Sequence, residues 1–435
     1  MKSLLLAVLV VGIVVVSGCV EQNNFSYENN QYPVKTSETS GKNSVDNNTS
    51  TNSNYQMPLT DLPVCSSITA TNCRMVEGVT KPGRNFGSQP QCVGNGTVNL
   101  TKSPMNPQDV GVIVPMGAMV GGHVTPIDHM YFQPIIFYSQ PDTYNVYADA
   151  DGVIEGINVE PSNPDNKYTK IRLVIYHTCD FYSIYNLLTS LSPEILNITG
   201  ILGPGQSYQK PIQVKAGDLL GKIGGQTLDL SVNYNKTILP GFLVPEHYEG
   251  ESWKIHTVDP FDYFSEPWRS QLIAKDLRQV PPRGGKIDYD IDGRLVGNWF
   301  VEGSGGFPTK YVPNVWVNHA SFVYDHIDPT HVIISFGNFS GAPIQFSVEN
   351  NSPDPKDVSV SIGVVKYKLV DTEYILSDGS VWNRFSYAND IHARSGNTIK
   401  GIVLVQMISN RKMKFEIFPH KIDAVFDDNA IIYER

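Results

Sequence analysis

The sequence predicts a mainly β protein with two β-rich domains behind an N-terminal tether. From residue 59 onward, short runs rich in β-branched and aromatic residues alternate with glycine, proline and asparagine turns. Helical periodicity is convincing only within residues 179–196. Paired prolines and glycines at residues 279–286 separate two blocks of such runs. We therefore expect domains at residues 59–270 and 280–435.

The N-terminus is typical of a lipoprotein signal peptide covering residues 1–18. After Lys2, an apolar and small-residue run extends to Val16, which is too short to span a bilayer comfortably. The small residues of "VSGC" then precede Cys19, which we expect to become the lipid-carrying first residue of the mature chain. The alternative is an uncleaved membrane anchor. Both place the remaining chain on the extracellular face of the cell membrane, tethered to it.

Residues 19–58 are predicted to form a disordered stalk. They are rich in Asn, Ser, Thr and Gln and contain almost no aliphatic residues, so they cannot bury enough apolar surface to fold. The net charge of −10 and the lack of a basic cluster argue against nucleic acid as a partner. The expected partners are the membrane, through the anchor, and an envelope peptide, glycan or protein.

Cysteine usage fits an exported chain. Without Cys19, four cysteines remain, and an even number suggests two disulfides with three possible pairings. Zinc binding by these thiols is the weaker interpretation, because no C-x-x-C pair is present. Glycosylation sequons mark positions that we expect to be exposed. Their asparagines are Asn24, Asn47, Asn48, Asn95, Asn99, Asn197, Asn235, Asn338 and Asn350.

In the first domain, strands are predicted at "VGVIVPMG", "PIIFYSQ", "YNVYADADGVIEGINV" and "KIRLVIYHTC". The segment "CDFYSIYNLLTSLSPEIL" is predicted to be helical and to be closed by Pro193. Its apolar residues recur at helical spacing, namely Phe181, Ile184, Tyr185, Leu188 and Leu191.

The second block predicts seven or eight antiparallel strands, arranged as a sandwich or a barrel. Its strand-like runs are "KIDYDIDG", "LVGNWFVEG", "HVIISFG", "PIQFSVEN", "DVSVSIGVVKYKLVD", "GIVLVQMI", "KMKFEIFP" and "AIIYER". Within the second run, Gly297-Asn298-Trp299 is weakly similar to the G-x-W motif of lipocalins, whose barrel holds an apolar ligand. The alternative is a tryptophan in the core of a strand.

The stretch "GGHVTPIDHMYF", residues 121–132, places His123, Asp128 and His129 behind a glycine pair. These residue types are zinc ligands, which makes the stretch a candidate half of a metal site. The alternative is a polar turn at a strand entry, in which Asp128 and His129 pair with each other or with neighbouring backbone.

Residues 110–235 resemble the lysostaphin-like zinc peptidases, whose β-sandwich is the duplicated hybrid motif. The resemblance rests on "GGHVTPIDHMYF", "VYADADGVIEGI", "RLVIYHTCDFYSIYNLL", "VKAGDLLGKIGG" and "QTLDLSV", in that order. The most specific of these, "VYADADGVIEGI" and "VKAGDLLGKIGG", are scaffold segments and indicate fold. Gly217 and Asp218 are expected to form a tight turn.

The resemblance implies a zinc ion held by His123, Asp128 and Asp229, although His123 and Asp128 are one residue farther apart than in the family's H-x-x-x-D. It also places Thr227 and Asn186 or Tyr185 where the family has catalytic histidines. Threonine and asparagine cannot exchange a proton near neutral pH, and each lost acid–base group costs roughly two to four powers of ten in rate. We therefore predict no catalytic residues, and no cofactor unless zinc remains.

Two further histidine-bearing segments are weaker candidates. His177, at the end of a predicted strand, is expected to be structural or to support the site. The segment 323–334 contains His326, Asp328 and His331, which could meet at a metal or form an ordinary Asp-Pro turn. No phosphate-binding glycine loop, dinucleotide fingerprint or G-x-S-x-G elbow occurs in a suitable context.

The sequence therefore predicts a lipoprotein with a catalytically degenerate, peptidase-like domain that acts as a binding or structural module. The competing interpretation is a zinc metallopeptidase, or another envelope hydrolase, with a rearranged site.

Overall fold

The structure is a computed structural model that describes residues 92–161, 168–309 and 312–435, together with the backbone of residues 79–80. The predicted signal peptide, Cys19, the predicted stalk, Cys65, Cys73 and three of the sequons lie outside these residues. Within them, the fold is mainly β, as predicted, with an antiparallel sheet-rich part followed by a closed barrel. None of the helices in the described ranges has the length and apolar character needed to cross a bilayer.

Thirteen strands build the first part. They are β1 (Val79–Thr80), β2 (Val110–Val114), β3 (Met130–Pro134), β4 (Tyr144–Tyr147), β5 (Gly152–Val159), β6 (Ile171–Tyr176), β7 (Phe181–Leu188), β8 (Ser190–Leu191), β9 (Ser207–Tyr208), β10 (Ile212–Val214), β11 (Leu219–Ile223), β12 (Leu228–Tyr234) and β13 (Thr257–Val258). A ten-stranded sheet has the order β1-β9-β5-β6-β7-β12-β3-β2, with β10 on β5 and β13 on β12. The other sheet has the order β4-β11-β8.

The two faces of strand β12 show how sequence alternation positions the core. Leu228, Leu230 and Val232 are fully buried in the main hydrophobic core. Asp229 and Ser231 alternate with them and therefore point to the opposite face of the sheet. That opposite face carries the candidate site.

The predicted helix at residues 179–196 is wrong, because most of this segment forms strands β7 and β8. Strand β7 is buried on both faces: Phe181 and Tyr185 enter the main core, while Tyr182 and Ile184 pack in a separate cluster. Apolar residues on both faces hide the two-residue period of a strand and imitate helical spacing.

Helix α1 (Pro193–Thr199) begins at the proline that we expected to end a helix. Ser192 caps it, since its hydroxyl accepts a hydrogen bond from the Ile195 amide at 3.3 Å. A proline in the first helical turn loses no hydrogen bond, which explains this placement. Helix α2 (Trp268–Ile273) and 3₁₀ helices at Pro245–His256 and Pro260–Asp262 complete the first part.

Eight strands close the barrel in simple chain order. They are β14 (Gly297–Val301), β15 (His319–Tyr324), β16 (Val332–Phe339), β17 (Ala342–Val348), β18 (Val364–Ile375), β19 (His392–Ser409), β20 (Lys412–Pro419) and β21 (Ile431–Glu434). Short 3₁₀ helices lie at Val315–Asn318, Glu349–Asn351, Pro355–Asp357 and Val360–Ile362. Of the predicted architectures, the barrel is thus confirmed. Two expected strands are wrong: "KIDYDIDG" has no strand, and "PIIFYSQ" leaves strand β3 after Pro134.

Side chains fill the barrel. Trp299, Phe322, Phe336, Phe346 and Tyr367 are all almost completely buried in one core cluster. Trp299 donates from its indole Nε1 to the Leu295 carbonyl at 2.7 Å, and the Arg435 guanidinium stacks 4.1 Å from its ring centre. The interpretation of Trp299 as a core tryptophan is therefore confirmed.

One disulfide joins Cys92 to Cys179 within the described residues. It closes a long loop that connects the start of the described chain to the turn between β6 and β7. The six sequon asparagines in the described residues are all exposed, as expected: Asn95, Asn99, Asn197, Asn235, Asn338 and Asn350.

Candidate functional site

The candidate site lies where strands β3 and β12 run side by side. His123 follows the turn at Gly121 and Gly122, and its amide donates to the Val120 carbonyl at 2.9 Å. Asp128 immediately precedes His129 at the entry to β3, and Asp229 pairs with Tyr131 of β3 in register. Distant parts of the sequence thus bring the two predicted carboxylates to one place, next to His123.

His129 occupies the centre of this group. Its Nδ1 atom lies 3.0 Å from Asp128 Oδ1, and its Nε2 atom lies 3.4 Å from Asp229 Oδ2. The ring of His123 is perpendicular to that of His129, with the centres 6.1 Å apart. The predicted pairing of Asp128 with His129 is confirmed, and the second carboxylate completes a bridge that the sequence did not reveal.

The contacts of the predicted zinc ligands bear on whether they can hold a metal. His129 contacts Asp128 Oδ1 and Asp229 Oδ2, so one oxygen of each predicted zinc-binding carboxylate already has an imidazole partner. No group of three or more His, Cys, Asp or Glu side chains arranged to hold a metal occurs in the described ranges. However, Asp128 Oδ2 is buried and has no hydrogen-bond partner among the described residues, which leaves one acceptor atom for a ligand. Zinc at these residues stays a prediction.

The residues at the positions of the expected catalytic histidines are held inside the sheet. Thr227 is completely buried and donates its hydroxyl to Asp229 Oδ1 at 2.8 Å. Asn186 lies opposite Asp229 in the register of β7 and β12. Its Oδ1 atom is buried and accepts no hydrogen bond from the described residues. Neither residue can act as a general acid or base near neutral pH.

Lys254 supplies a buried positive charge that sequence analysis missed. Its side chain is almost fully buried, and its ammonium donates to the Pro126 carbonyl at 2.6 Å. Burial alone would raise the pKa of Asp128, but the charge of Lys254 and the hydrogen bond with His129 lower it below its ordinary value. Asp128 is therefore an ionised carboxylate at neutral pH.

Asp229 and His129 lie next to each other, and the pKa of each is raised, so both hold a proton more tightly than they would in water. Burial raises the pKa of Asp229 to about 6, against the attraction of His129 and the hydrogen bond from Thr227. Burial alone would lower the pKa of His129, but the charge of Asp229 and the interactions with Asp128 raise it overall. The charges of His129 and Lys170 and the Thr227 hydrogen bond offset only part of the effect of burial on the pKa of Asp229.

His123 lies at the mouth of the site, beside the barrel. It is exposed to solvent, although protein surrounds it on the side of His129 and Lys254. Desolvation on that side, and the charges of His129 and Lys254, lower the pKa of His123 to about 4, so its ring is neutral at pH 7. Gly122 is in close contact with the indole of Trp316, since a Cβ atom there would lie 3.3 Å from that ring.

The remaining histidine candidates have other partners. His177 Nε2 lies 2.9 Å from Ser183 Oγ and 3.2 Å from Asp149 Oδ1, and Ser183 donates to Asp149 Oδ2 at 2.7 Å. The side chains of His177 and Asp149 are completely buried. Both Ser183 and Asp149 face the same histidine nitrogen, so this is a buried structural network and not a nucleophile–base–acid relay.

The segment around Asp328 forms a turn. Asp328 accepts hydrogen bonds from the Thr330 amide and hydroxyl and from the Ala393 amide. His331 Nε2 lies 2.8 Å from Ser347 Oγ, whereas His326 lies against Asp325. These separate partners favour the Asp-Pro turn over a metal site.

No model of a protein family matches this chain, and no curated protein matches it in sequence.

Proposed function

We propose that this chain is a lipoprotein anchored at the extracellular face of the cell membrane. Its first domain is a catalytically degenerate relative of the lysostaphin-like peptidases, with the duplicated hybrid motif, and serves as a binding or structural module. The observation that supports this most is the His129 bridge: the ring contacts Asp128 and Asp229, whose other partner is the Thr227 hydroxyl.

The bridge argues against hydrolysis because it uses the groups that a peptidase would need. A zinc hydrolase keeps an open coordination position and a nearby base for water. Here the imidazole most suited to accept a proton is flanked by two carboxylates, and the expected histidine positions hold Thr227 and Asn186. The polar groups satisfy one another instead of facing a substrate.

The surface beside this bridge supports recognition of a ligand. His123 is exposed and neutral at pH 7, so it offers both a donor and an acceptor. The half-buried Trp316 indole lies against Gly122 and offers a flat apolar face. The Trp316 indole and the neutral His123 imidazole lie on one surface, which could bind a peptide or glycan of the cell envelope.

A zinc hydrolase is the second candidate, and one feature favours it. Metal binding requires a neutral histidine and an ionised carboxylate, and these are the states of His123 and Asp128 near pH 7. The unpartnered Asp128 Oδ2 atom is a further ligand atom. Zinc, if bound, would polarise a carbonyl group and activate water.

Metal analysis distinguishes the two candidates. The full chain, purified from membranes, is compared with His123→Ala and with His392→Ala, which alters an exposed histidine of the barrel. The binding-module proposal expects no stoichiometric zinc in any of the three chains and no hydrolysis of envelope peptides. One zinc per chain that His123→Ala abolishes and His392→Ala retains, together with hydrolysis, would establish the enzyme instead.

The anchor has its own test. Mass spectrometry of the mature N-terminus should find a lipid on Cys19, and Cys19→Ser should prevent cleavage and lipid attachment. A mature chain that begins elsewhere, or an unmodified Cys19, would contradict the lipoprotein assignment.

A further inference from the structure

Two segments that are far apart in sequence form an exposed apolar surface. The first, residues 135–138, follows strand β3 directly. The second, residues 381–387, lies between strands β18 and β19 of the barrel and presents Val381, Phe385 and Tyr387. We call these seven residues, 135–138 with 381, 385 and 387, the apolar crest.

Direct contacts hold the two segments together. The Phe385 ring lies 5.9 Å from the rings of both Phe137 and Tyr138, measured between centres. Gln133 Nε2 donates to the Phe385 carbonyl at 3.3 Å. Below the crest, Trp382 is buried in a cluster that includes Tyr131. The crest is therefore built on packed structure and does not depend on a free loop.

Four of the seven crest side chains project far from the surface, which indicates that the crest is convex there. Ile135 and Ile136 are 61% and 62% exposed, Tyr138 is 72% exposed and Val381 is 73% exposed. Side chains that line a groove lose most of their exposure to its walls, whereas these side chains project. A projecting apolar surface suits a soft apolar phase, while a small ligand needs a concave site.

The composition of the crest matches the interfacial region of a bilayer. Isoleucine, valine and phenylalanine partition into the acyl region, and tyrosine favours the level of the headgroups. Residues 378–390, which include the barrel segment, carry the charges of Asp378, Arg384 and Asp390, so this part of the barrel brings no basic cluster that would direct the crest to anionic lipid. Insertion into the bilayer would therefore depend on apolar contact, and the salt concentration would have little effect on it.

The proposed lipid anchor favours the bilayer as the partner of the apolar crest. On the proposed lipid anchor, 72 residues (20–91) connect Cys19 to Cys92, where the continuously described part begins. A tether raises the effective concentration of the domain at the membrane, so even weak insertion becomes populated. We propose that the apolar crest docks on the bilayer to which the chain is anchored; this inference rests on the anchor in the proposed function.

Fluorescence quenching by brominated lipids tests this docking. Tryptophan is introduced into the full chain at the crest, as Ile136→Trp, and the protein is reconstituted into zwitterionic vesicles with brominated acyl chains. Ile201→Trp is the matched control, because Ile201 is an isoleucine of the first domain that is 91% exposed outside the crest. Ile362→Trp examines a different exposed aliphatic residue, on the barrel.

The fluorescence added by Ile136→Trp should be lost in brominated vesicles, whereas that added by Ile201→Trp and Ile362→Trp should remain. Equal quenching of all three, or quenching of Ile362→Trp alone, overturns docking by the crest. If quenching is absent and the protein forms dimers that Ile136→Asp dissociates, the crest binds a second copy, and the proposal is also overturned. Failure of the wild-type chain to float with vesicles refutes the anchor itself, and docking with it.

Discussion

The pH dependence of stability around Asp229 offers a sharp test of the candidate site. Asp229→Asn keeps the size of the side chain and an oxygen for the Thr227 hydroxyl, but removes the charge. Burial raises the pKa of Asp229 from 3.8 to about 6. Because an acid with a raised pKa favours the protonated form, its stabilising effect is complete below pH 3.8 and is lost as the pH rises through 6.

The size of the effect follows from that change. A rise of the pKa from 3.8 to 6 corresponds to about 3 kcal/mol of stability, of which about 2.5 kcal/mol is lost between pH 4 and pH 7.5. His129 also makes the folded state less stable as the pH rises. Its raised pKa gives stability that is present below about pH 6.5 and lost at higher pH, and Asp229→Asn weakens this contribution.

The assay is urea unfolding of the full chain at pH 4 and pH 7.5, followed by tryptophan fluorescence. Trp253 and Trp268 report on the first domain. Relative to Asp229→Asn, the wild type should lose about 2.5 kcal/mol or more between the two pH values. Asp428→Asn, at an exposed position of the barrel, is the control and should show no such difference from the wild type.

An equal response of the wild type and Asp229→Asn to pH would refute the raised pKa of Asp229. Removal of the effect by added zinc would favour the metal site, because a bound cation keeps the carboxylate ionised.

Three further substitutions probe the fold. Cys179→Ser opens a disulfide between residues 87 apart and should lower the free energy of unfolding by at most about 4.6 kcal/mol, a loss that reduced wild type should share. Arg435→Met removes the guanidinium that lies 3.4 Å from the buried Asp290 carboxylate, and it should lower the free energy of unfolding in urea by roughly 3–5 kcal/mol. The double variant with Asp290→Asn should recover part of this stability, and a double variant that recovers none would contradict the pairing. Phe322→Ala should cost roughly 3–5 kcal/mol, whereas a small loss would indicate that the barrel interior is not tightly packed.

The strands of the second part could be predicted from sequence because they are rich in β-branched and aromatic residues and are bounded by turn residues, although this pattern did not distinguish a sandwich from a barrel. The prediction failed where tertiary context overrides a local pattern. The run "KIDYDIDG" has strand-like residues, but the Asp288 and Asp290 carboxylates accept the Gly241 and Leu243 amides of the first part. These residues serve contacts between the two parts, and no local pattern indicates such a role.

The candidate site was predicted in part. His123, Asp128 and Asp229 were found because they are typical ligand residues in a recognisable order. Lys254 and Trp316 could not be found, since an isolated lysine or tryptophan far along the chain carries no local signal. The central role of His129 was missed for another reason: its second partner, Asp229, depends on the register of β12 against β3.

The His129 bridge also gives a physical reason why the residues of the site belong together. On the proposed relationship to zinc peptidases, aspartate replaces a zinc-binding histidine at position 229, which puts a second carboxylate close to Asp128. Two buried carboxylates need a nearby cation, because otherwise one of them must take up a proton. The imidazole of His129 lies between them and supplies that charge, with Lys254 nearby. Restoring histidine at position 229 alone would therefore leave His129 facing a second imidazole in place of a carboxylate.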